Sequence, residues 1–242
     1  MVGVARDMFN KIKVKKIEYS AVADHVGPLS KSKNKVPDWY KKTEKTYGGP
    51  LHFLKQNKTF KYCFPFLDAL SSGYMLETVV DLQVIIEDGQ QEFFWGSSPT
   101  EGLKVVGVRD PGATGIMPAP KWCSETHFYW STFYNLTCPK GYSLLFTHPL
   151  NRYDLPFITL SGIVDADQGL HPGKMPFFIR KDFEGIIEAG TPIAQIIPIK
   201  RESWLLEENK KHDKKIDQNV FETNSTFFGW YKKKIWQKKE YN

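Results

Sequence analysis

The sequence predicts a mainly β protein, a β-rich α+β chain built around a small antiparallel barrel or sandwich. Between residues 121 and 200 the chain is a series of short β-branched or aromatic runs, separated by Gly, Pro and Asp. Its 18 Gly and 15 Pro residues cut the sequence into short pieces, and its 14% aromatic content is typical of a globular chain. At 242 residues it can bury a substantial core without disulfides or metals.

The first segment, residues 1–45, is predicted to be a basic N-terminal arm. It has strand character at residues 12–19, followed by a polar linker. A short helix is predicted at its end, within residues 36–48, because Pro37 and Asp38 are typical of a helix start.

The second segment, residues 46–120, is predicted to extend the barrel with a helix and a β-hairpin. One or two helical turns are expected within residues 65–74, and a hairpin is expected to turn at Asp88 and Gly89. Residues 107–120 contain too many Gly and Pro residues for the interior of a helix or strand, so they predict a long surface loop.

The third segment, residues 121–204, carries the predicted barrel, and the fourth, residues 205–242, is a basic and aromatic C-terminal tail. The net charge of +6 comes from the ends: residues 1–45 hold 11 basic and 5 acidic residues, and residues 205–242 hold 9 and 6. These ends are either simply solvated or they contact an acidic partner, which includes other protein subunits and nucleic acid. The candidates for partner binding in the tail are Trp230, Tyr231, Lys232, Lys233 and Trp236.

The three cysteines argue against a disulfide framework and against a zinc knuckle. Cys63, Cys123 and Cys138 are odd in number and widely spaced, without a CxxC pair, so they predict buried thiols in place of disulfides or a zinc knuckle. No apolar stretch approaches the length of a membrane span, and the first residues lack the features of a secretory signal. We therefore expect intracellular synthesis and no membrane partner.

The GIVDAD sequence provides the main candidate for chemistry. If it is a strand, Asp165 and Asp167 lie on the same side of it, because side chains repeat every second residue. A pair of carboxylates can orient a water molecule or bind a hydroxyl group or a metal. The alternative is an Asp- and Gly-rich turn whose side chains bond to their own backbone.

Four short motifs, at residues 139–142, 149–152, 162–167 and 190–195, occur in an order that resembles the β-clip barrel of the dUTPase and dCTP deaminase superfamily. The resemblance covers about a quarter of the chain. It implies that Asp165 positions an attacking water or a sugar 3′-hydroxyl, and that Asn151, Arg152 and Gln195 lie at phosphate-binding positions. The whole chain also resembles an uncharacterised family found in bacteria and tailed phages.

The motifs depart from the enzyme pattern where phosphates would be bound. Leu150, Asn151 and Arg152 replace an Arg-Ser-Gly triplet, Gln168 replaces a Tyr, and Pro192 replaces a basic residue. The tail has no glycine-rich arm, and there is no HxE with PCxxC for a zinc deaminase. These losses remove most of the groups that would stabilise a triphosphate.

The function predicted from these departures is a non-catalytic structural or binding protein. It would be phage-associated and assembled into a homo-oligomer or a larger particle, with no cofactor. One alternative is a nucleotide hydrolase that uses Asp165, with Mg²⁺ as its cofactor; another is a carbohydrate- or nucleic-acid-binding module. The expected location is the cytoplasm, that of a host if the chain is viral, or the virion.

Histidines and aromatic residues offer two weaker hypotheses. His127, His148 and His171 would form a metal site with the two aspartates if their loops converge, but nothing in their spacing requires it. Histidines that cap strands or pack beside tryptophans are favoured, so we predict no metal. The aromatic run at residues 128–134 could stack on bases or sugars, but its alternation favours packing in the core.

Overall fold

The structure is a computed structural model, and it describes residues 17–21, 26–48, 57–96, 104–169, 173–208, 214–225 and 230–241. Most of the strand predicted at residues 12–19 lies outside the described residues, as does His171. Within the described ranges, none of the helices is long and apolar enough to cross a membrane.

Short strands dominate the described residues, as the sequence predicts. The strands are β1 (Glu18–Ala21), β2 (Ser30–Lys31), β3 (Thr46–Tyr47), β4 (Asn57–Lys58), β5 (Tyr74–Glu77), β6 (Leu82–Glu87), β7 (Gln90–Phe94), β8 (Val106–Val108), β9 (Phe128–Ser131), β10 (Tyr134–Thr137), β11 (Tyr142–Thr147), β12 (Phe157–Thr159), β13 (Gly162–Val164), β14 (Lys174–Ile179), β15 (Gly185–Ile187) and β16 (Pro192–Lys200). The helices are α1 (Asp38–Lys42), α2 (Phe64–Ser71), α3 (Lys214–Ser225) and α4 (Trp230–Lys234).

The strands pair into several antiparallel sheets. The largest has the order β13-β11-β16-β5-β2, the second has the order β12-β14-β9-β8, and the third has the order β15-β6-β7. Two further pairs are β1 with β10 and β3 with β4. The mainly β prediction is confirmed, but the described strands form separate sheets with free edges and do not close into a barrel.

The core lies where the two largest sheets meet. Trp130 of β9 stacks on Phe177 of β14 with ring centroids 3.7 Å apart, and both side chains are fully buried. Strands β11 and β16 bury four of their large apolar side chains, whereas Ile197 is only partly buried; the four are Leu144, Phe146, Ile193 and Ile196. Residues 128–130 are buried on both faces of β9, so these aromatic side chains pack in the core and are not available to stack on a ligand.

Two local predictions are confirmed by the backbone. The hairpin between β6 and β7 turns at Asp88 and Gly89, both of which have positive φ angles, as a two-residue hairpin requires. The turns predicted within residues 65–74 are helix α2, which ends before Gly73. A Cβ atom on Gly73 would lie 2.0 Å from the carbonyl oxygen of Ile196, so only glycine lets β5 approach β16 this closely.

The helix predicted within residues 36–48 and the loop predicted at residues 107–120 are both present, and both are shorter than predicted. Helix α1 covers only five residues, because the chain pairs as β3 shortly afterwards. The predicted loop at 107–120 begins inside β8 and contains a 3-10 turn at Pro111–Ala113, in which the Asp110 carboxylate accepts a hydrogen bond from the Gly112 amide at 2.7 Å.

Candidate functional site

The two motif aspartates lie in a turn and share one arginine. Strand β13 ends at Val164, and a 3-10 turn occupies Ala166–Gln168, so Asp165 and Asp167 lie in a turn, which was the alternative, and not on one face of a strand. The turn brings both carboxylates onto Arg201, which follows β16. Arg201 Nη1 lies 3.0 Å from Asp165 Oδ1, and Nη2 pairs with Asp167.

Two further donors complete the hydrogen bonding of these carboxylates. The Ser143 hydroxyl donates to Asp165 at 2.6 Å, and the Gly141 amide donates to Asp167 at 3.0 Å. Arg201 is held in place because its own amide donates to the Gly141 carbonyl at 2.9 Å. The arrangement links the turn after β13, the start of β11 and the end of β16.

These contacts keep both carboxyl groups ionised. The hydrogen bond from Ser143, followed by that from Arg201, lowers the pKa of Asp165 below its usual value. The Arg201 guanidinium and the Gly141 amide lower the pKa of Asp167 in the same way. A general base works best with a pKa near the operating pH, so this environment is unsuited to proton transfer.

The two aspartates differ in their access to solvent. The Asp167 side chain is only 2% exposed, whereas that of Asp165 is 66% exposed. Asp165 can therefore still accept a hydrogen bond from a ligand, whereas the buried Asp167 bonds to Gly141 and Arg201 of this chain.

The turn at residues 149–152, predicted to bind phosphate, is also occupied by contacts within the chain. Arg152 forms a two-point ion pair with Asp154, with Nε and Nη2 each 2.9 Å from a carboxylate oxygen. The Arg152 side chain is only 11% exposed. Asn151 adopts a positive φ of 60°, and the Leu150 amide donates to the Gln195 side chain at 2.9 Å.

Gln195, the third predicted phosphate-binding residue, is fully buried and braces two elements together. Its Nε2 donates to the carbonyl oxygens of Ala69 and Ser72, at 2.9 and 2.6 Å, while its Oε1 accepts from the Leu150 amide. The side chain thus ties the end of α2 to the turn at 149–152. The structure therefore brings the predicted phosphate-binding positions together through hydrogen bonds within the chain.

The structure describes two of the three candidate metal-ligating histidines, of which His127 is buried and His148 is partly buried. His148 Nε2 lies 3.1 Å from the carbonyl oxygen of Arg152, and its Nδ1 lies 3.3 Å from the Thr159 amide, an arrangement that fits a neutral ring protonated at Nε2. Burial lowers the pKa of His148, and it also lowers that of His127. Among the described residues, no three His, Cys, Asp or Glu side chains are grouped so that they could hold a metal ion.

A cavity of about 290 Å³ lies beside β13, and sequence reasoning missed it. Its lining is mostly apolar and includes Leu136, Phe146, Val164 and Met175, together with the cationic side chains Arg109 and Lys174. Arg109 and Met117 come from the loop at residues 107–120. The Gly- and Pro-rich composition of this loop is the sequence feature that could have indicated the cavity. Nothing in the sequence showed that this loop returns to β13.

A second cavity, of about 570 Å³, lies under residues 114–121. Cys123, Glu125 and His127 contribute to its wall. Burial raises the pKa of Cys123 to about 11, so the thiol stays protonated near neutral pH and is not an activated nucleophile.

Three of the predicted partner-binding residues of the tail, Tyr231, Lys232 and Trp236, contact this chain's own helix α2. The Trp236 indole donates to Asp68 at 2.9 Å, and its ring centroid lies 5.2 Å from that of Phe64. The Tyr231 ring stacks on Phe64 at 6.5 Å. A role of these residues in partner binding stays a prediction.

No known protein-family profile and no curated protein matches the chain. It is similar in structure to a mutant dUTPase from phage phi11 of S. aureus, with 9% sequence identity and a TM-score of 0.33, over 82% of this chain and 99% of that one. It is also similar to a mutant dUTPase of Staphylococcus bacteriophage 80alpha, with 12% identity and a TM-score of 0.34, over 82% of this chain and 90% of that one.

Both matches are dUTPases, the enzymes that the sequence motifs resemble. At such low identity and TM-scores, these similarities carry no argument about this chain, whose function has to be judged from its own contacts.

Proposed function

We propose that this chain is a non-catalytic binding and assembly protein on a dUTPase-like scaffold. The observation that carries the proposal is the use of the motif side chains: the two aspartates bond to Arg201, Arg152 bonds to Asp154, and Gln195 is a buried brace. These groups already have partners within the chain. Arg152, Asp167 and Gln195 would have to give up those bonds before they could act on a ligand, whereas the exposed Asp165 can accept one more hydrogen bond.

Electrostatics argue against a triphosphate at the turn at 149–152. The Asp154 carboxylate already occupies the two-point donor face of Arg152, and it would repel an incoming phosphate. The Leu150 amide is also engaged, because it donates to Gln195. These Arg152 donors and the Leu150 amide are therefore not free to stabilise charge in phosphoryl transfer.

The cavity beside β13 supports a binding function. Its volume of about 290 Å³ is close to the lower limit for small-molecule pockets. An apolar wall with two cationic side chains, Arg109 and Lys174, suits a small apolar group that carries a negative charge.

Exposed apolar residues after β16 support assembly into a homo-oligomer. Trp204, Leu205 and Leu206 are 86%, 81% and 99% exposed, and three such residues in a row are unusual on a monomer surface. We propose that a second copy of this chain packs against these three side chains. A more specific form of this proposal is that the resulting assembly is part of a phage particle.

The catalytic part of the proposal is tested by turnover of dUTP and dCTP with Mg²⁺. We expect no turnover above about 0.1 per second, a lenient threshold beside the median enzyme at about 10 per second. The variants are Asp165→Asn and, as a matched control, Asp182→Asn, which removes an aspartate that pairs with Arg180 outside the motifs. Turnover that survives in Asp182→Asn but disappears in Asp165→Asn would show that the chain is an enzyme.

The assembly part is tested by the mass of the protein in solution. Trp204→Asp should reduce the mass of the oligomer, because it places a charge in the apolar contact. Ile116→Asp is the control, since Ile116 is also fully exposed but lies in the loop at 107–120. An unchanged mass in Trp204→Asp would contradict the assigned contact.

A nucleotide hydrolase is the second candidate, and one observation favours it. Asp165 remains largely exposed, at the end of the strand that borders the apolar cavity. The described residues contain no group of three side chains that could hold Mg²⁺, so the metal would arrive bound to the nucleotide phosphates.

A further inference from the structure

Helix α2 brings together two basic regions that are far apart in the sequence. One consists of residues 31–48 and 57–62, and the other consists of residues 230–241. Together with α2 (Phe64–Ser71) they form what we call the basic–aromatic surface.

The first region is attached to α2 through aromatic rings. Trp39 lies 6.0 Å from Phe60 and 6.3 Å from Phe66 of α2, and Tyr40 stacks on Phe66 at 6.0 Å. Lys61 Nζ donates to the carbonyl oxygens of Lys41 and Thr43, at 2.6 and 2.8 Å. These contacts fix α1 beside the helix, and the Thr59 hydroxyl, which donates to the Glu44 carbonyl at 2.6 Å, holds the end of β4 next to the start of β3.

The second region is attached to the same helix through Phe64 and Asp68. Besides the contacts of Tyr231 and Trp236, Lys239 Nζ lies 2.7 Å from Asp68 Oδ2, and Lys232 Nζ lies 5.7 Å from the centre of the Phe64 ring. Phe64 and Asp68 are four residues apart, so they share one side of α2.

The surface has a large excess of positive charge. Residues 31–48, 57–71 and 230–241 contain 13 lysines and 4 carboxylate side chains. Asp68 is already paired with Lys239, Asp38 with Lys41, and Glu240 with Lys238. Elsewhere on this surface, within the part of the chain that the structure describes, no carboxylate lies at ion-pair distance from four exposed lysines: Lys45, Lys58, Lys233 and Lys234.

Aromatic rings are exposed among these lysines. Tyr47 is 62% exposed, and its strand β3 pairs with β4, which carries Lys58. Phe60 and Trp39 are 43% and 36% exposed, so each offers part of a ring to solvent.

We propose that the basic–aromatic surface binds single-stranded nucleic acid. Lysines without acidic partners neutralise phosphates and release counterions, and exposed rings offer stacking partners for unpaired bases. An acidic protein would be held by the lysines alone and would leave the exposed rings without a role. Stacking also requires unpaired bases, so a duplex should bind less tightly than a single strand.

The test is fluorescence anisotropy of a labelled oligothymidylate with the full chain. We expect binding whose association constant falls linearly with salt on a logarithmic scale, with a slope of about 0.7 per phosphate contact. The charge reversals Lys45→Glu/Lys58→Glu and Lys233→Glu/Lys234→Glu should each weaken binding about tenfold or more. The control, Lys121→Glu/Lys181→Glu, changes two exposed lysines near the bridge between Cys123 and Arg180, and it should bind as the unmodified chain does.

The role of the rings is tested separately. Tyr47→Ala should weaken binding about fivefold or more, which corresponds to the loss of one stacked base, whereas Tyr47→Phe should retain it. Circular dichroism melts establish that each variant is folded.

Three results would overturn the proposal. The first is no binding by the unmodified chain at low salt, and the second is an equal loss in the control double variant. The third is competition by polyglutamate as strong as that by unlabelled oligonucleotide, together with no effect of Tyr47→Ala, which would identify an acidic protein as the occupant. None of these results bears on the proposed lack of catalysis.

Discussion

Replacing Gln195 by methionine distinguishes a structural brace from a ligand contact. Methionine has a similar length but cannot donate or accept the three hydrogen bonds that Gln195 makes with Ala69, Ser72 and Leu150. The side chain is completely buried, so water does not reach it to replace these bonds in the folded protein.

The expected cost follows from the number of lost bonds. A net hydrogen bond contributes about 1 kcal/mol to stability, and a buried group left without a partner costs about 1–3 kcal/mol. The three partner residues, Ala69, Ser72 and Leu150, are all only partly buried and can recover water, so we expect a total loss of about 3 kcal/mol from the three bonds. That is a large share of the 5–15 kcal/mol by which a typical protein is stable.

Urea denaturation measures this loss. With a slope of about 3 kcal/mol per molar urea, the midpoint should fall by about 1 M without a change in slope. Gln83→Met is the control: Gln83 is exposed on β6, and its replacement should change stability by less than about 0.5 kcal/mol. A loss below about 1 kcal/mol in Gln195→Met would refute the brace, and a simultaneous loss of nucleotide binding would restore the phosphate-binding prediction.

Three further outcomes are expected. Ile196→Asp should abolish soluble folding, because it buries an unpaired charge in the central strand β16; a soluble variant with a cooperative melt would contradict the core assignment. Because the pKa values of Asp165 and Asp167 are lowered in the folded state, the stability they provide is present above their ordinary pKa of 3.8 and is lost as the pH falls through the folded values. Urea midpoints between about pH 5 and about pH 3 should therefore fall less steeply in Arg201→Gln than in the unmodified chain, and equal slopes would count against the ion pairs. Deleting residues 230–241 should lower the melting temperature because it exposes Phe64, whereas an unchanged melt would show that the tail is a solvated appendage.

The sequence alone determined the class of fold and several local features. Short β-branched runs between Gly and Pro predicted a mainly β protein, and Asp88 with Gly89 predicted the hairpin between β6 and β7. These predictions succeed because strand preference and turn conformation depend on residues that are neighbours in the chain. Whether the described strands would form a barrel or separate sheets was left open by the sequence, since closure depends on how distant strand edges meet.

Only the tertiary structure decided what the motif residues do. Arg201 lies 34 residues after Asp167, and Gln195 lies 45 residues after Leu150, yet these pairs are in direct contact. The same holds for the tail, whose Trp236 reaches Asp68 across 168 residues. A polar side chain can bond to any donor or acceptor that the fold brings near it, and a one-dimensional pattern does not contain that proximity. The sequence therefore located the carboxylates, whereas the packing of β11, β13 and β16 determined which groups they contact.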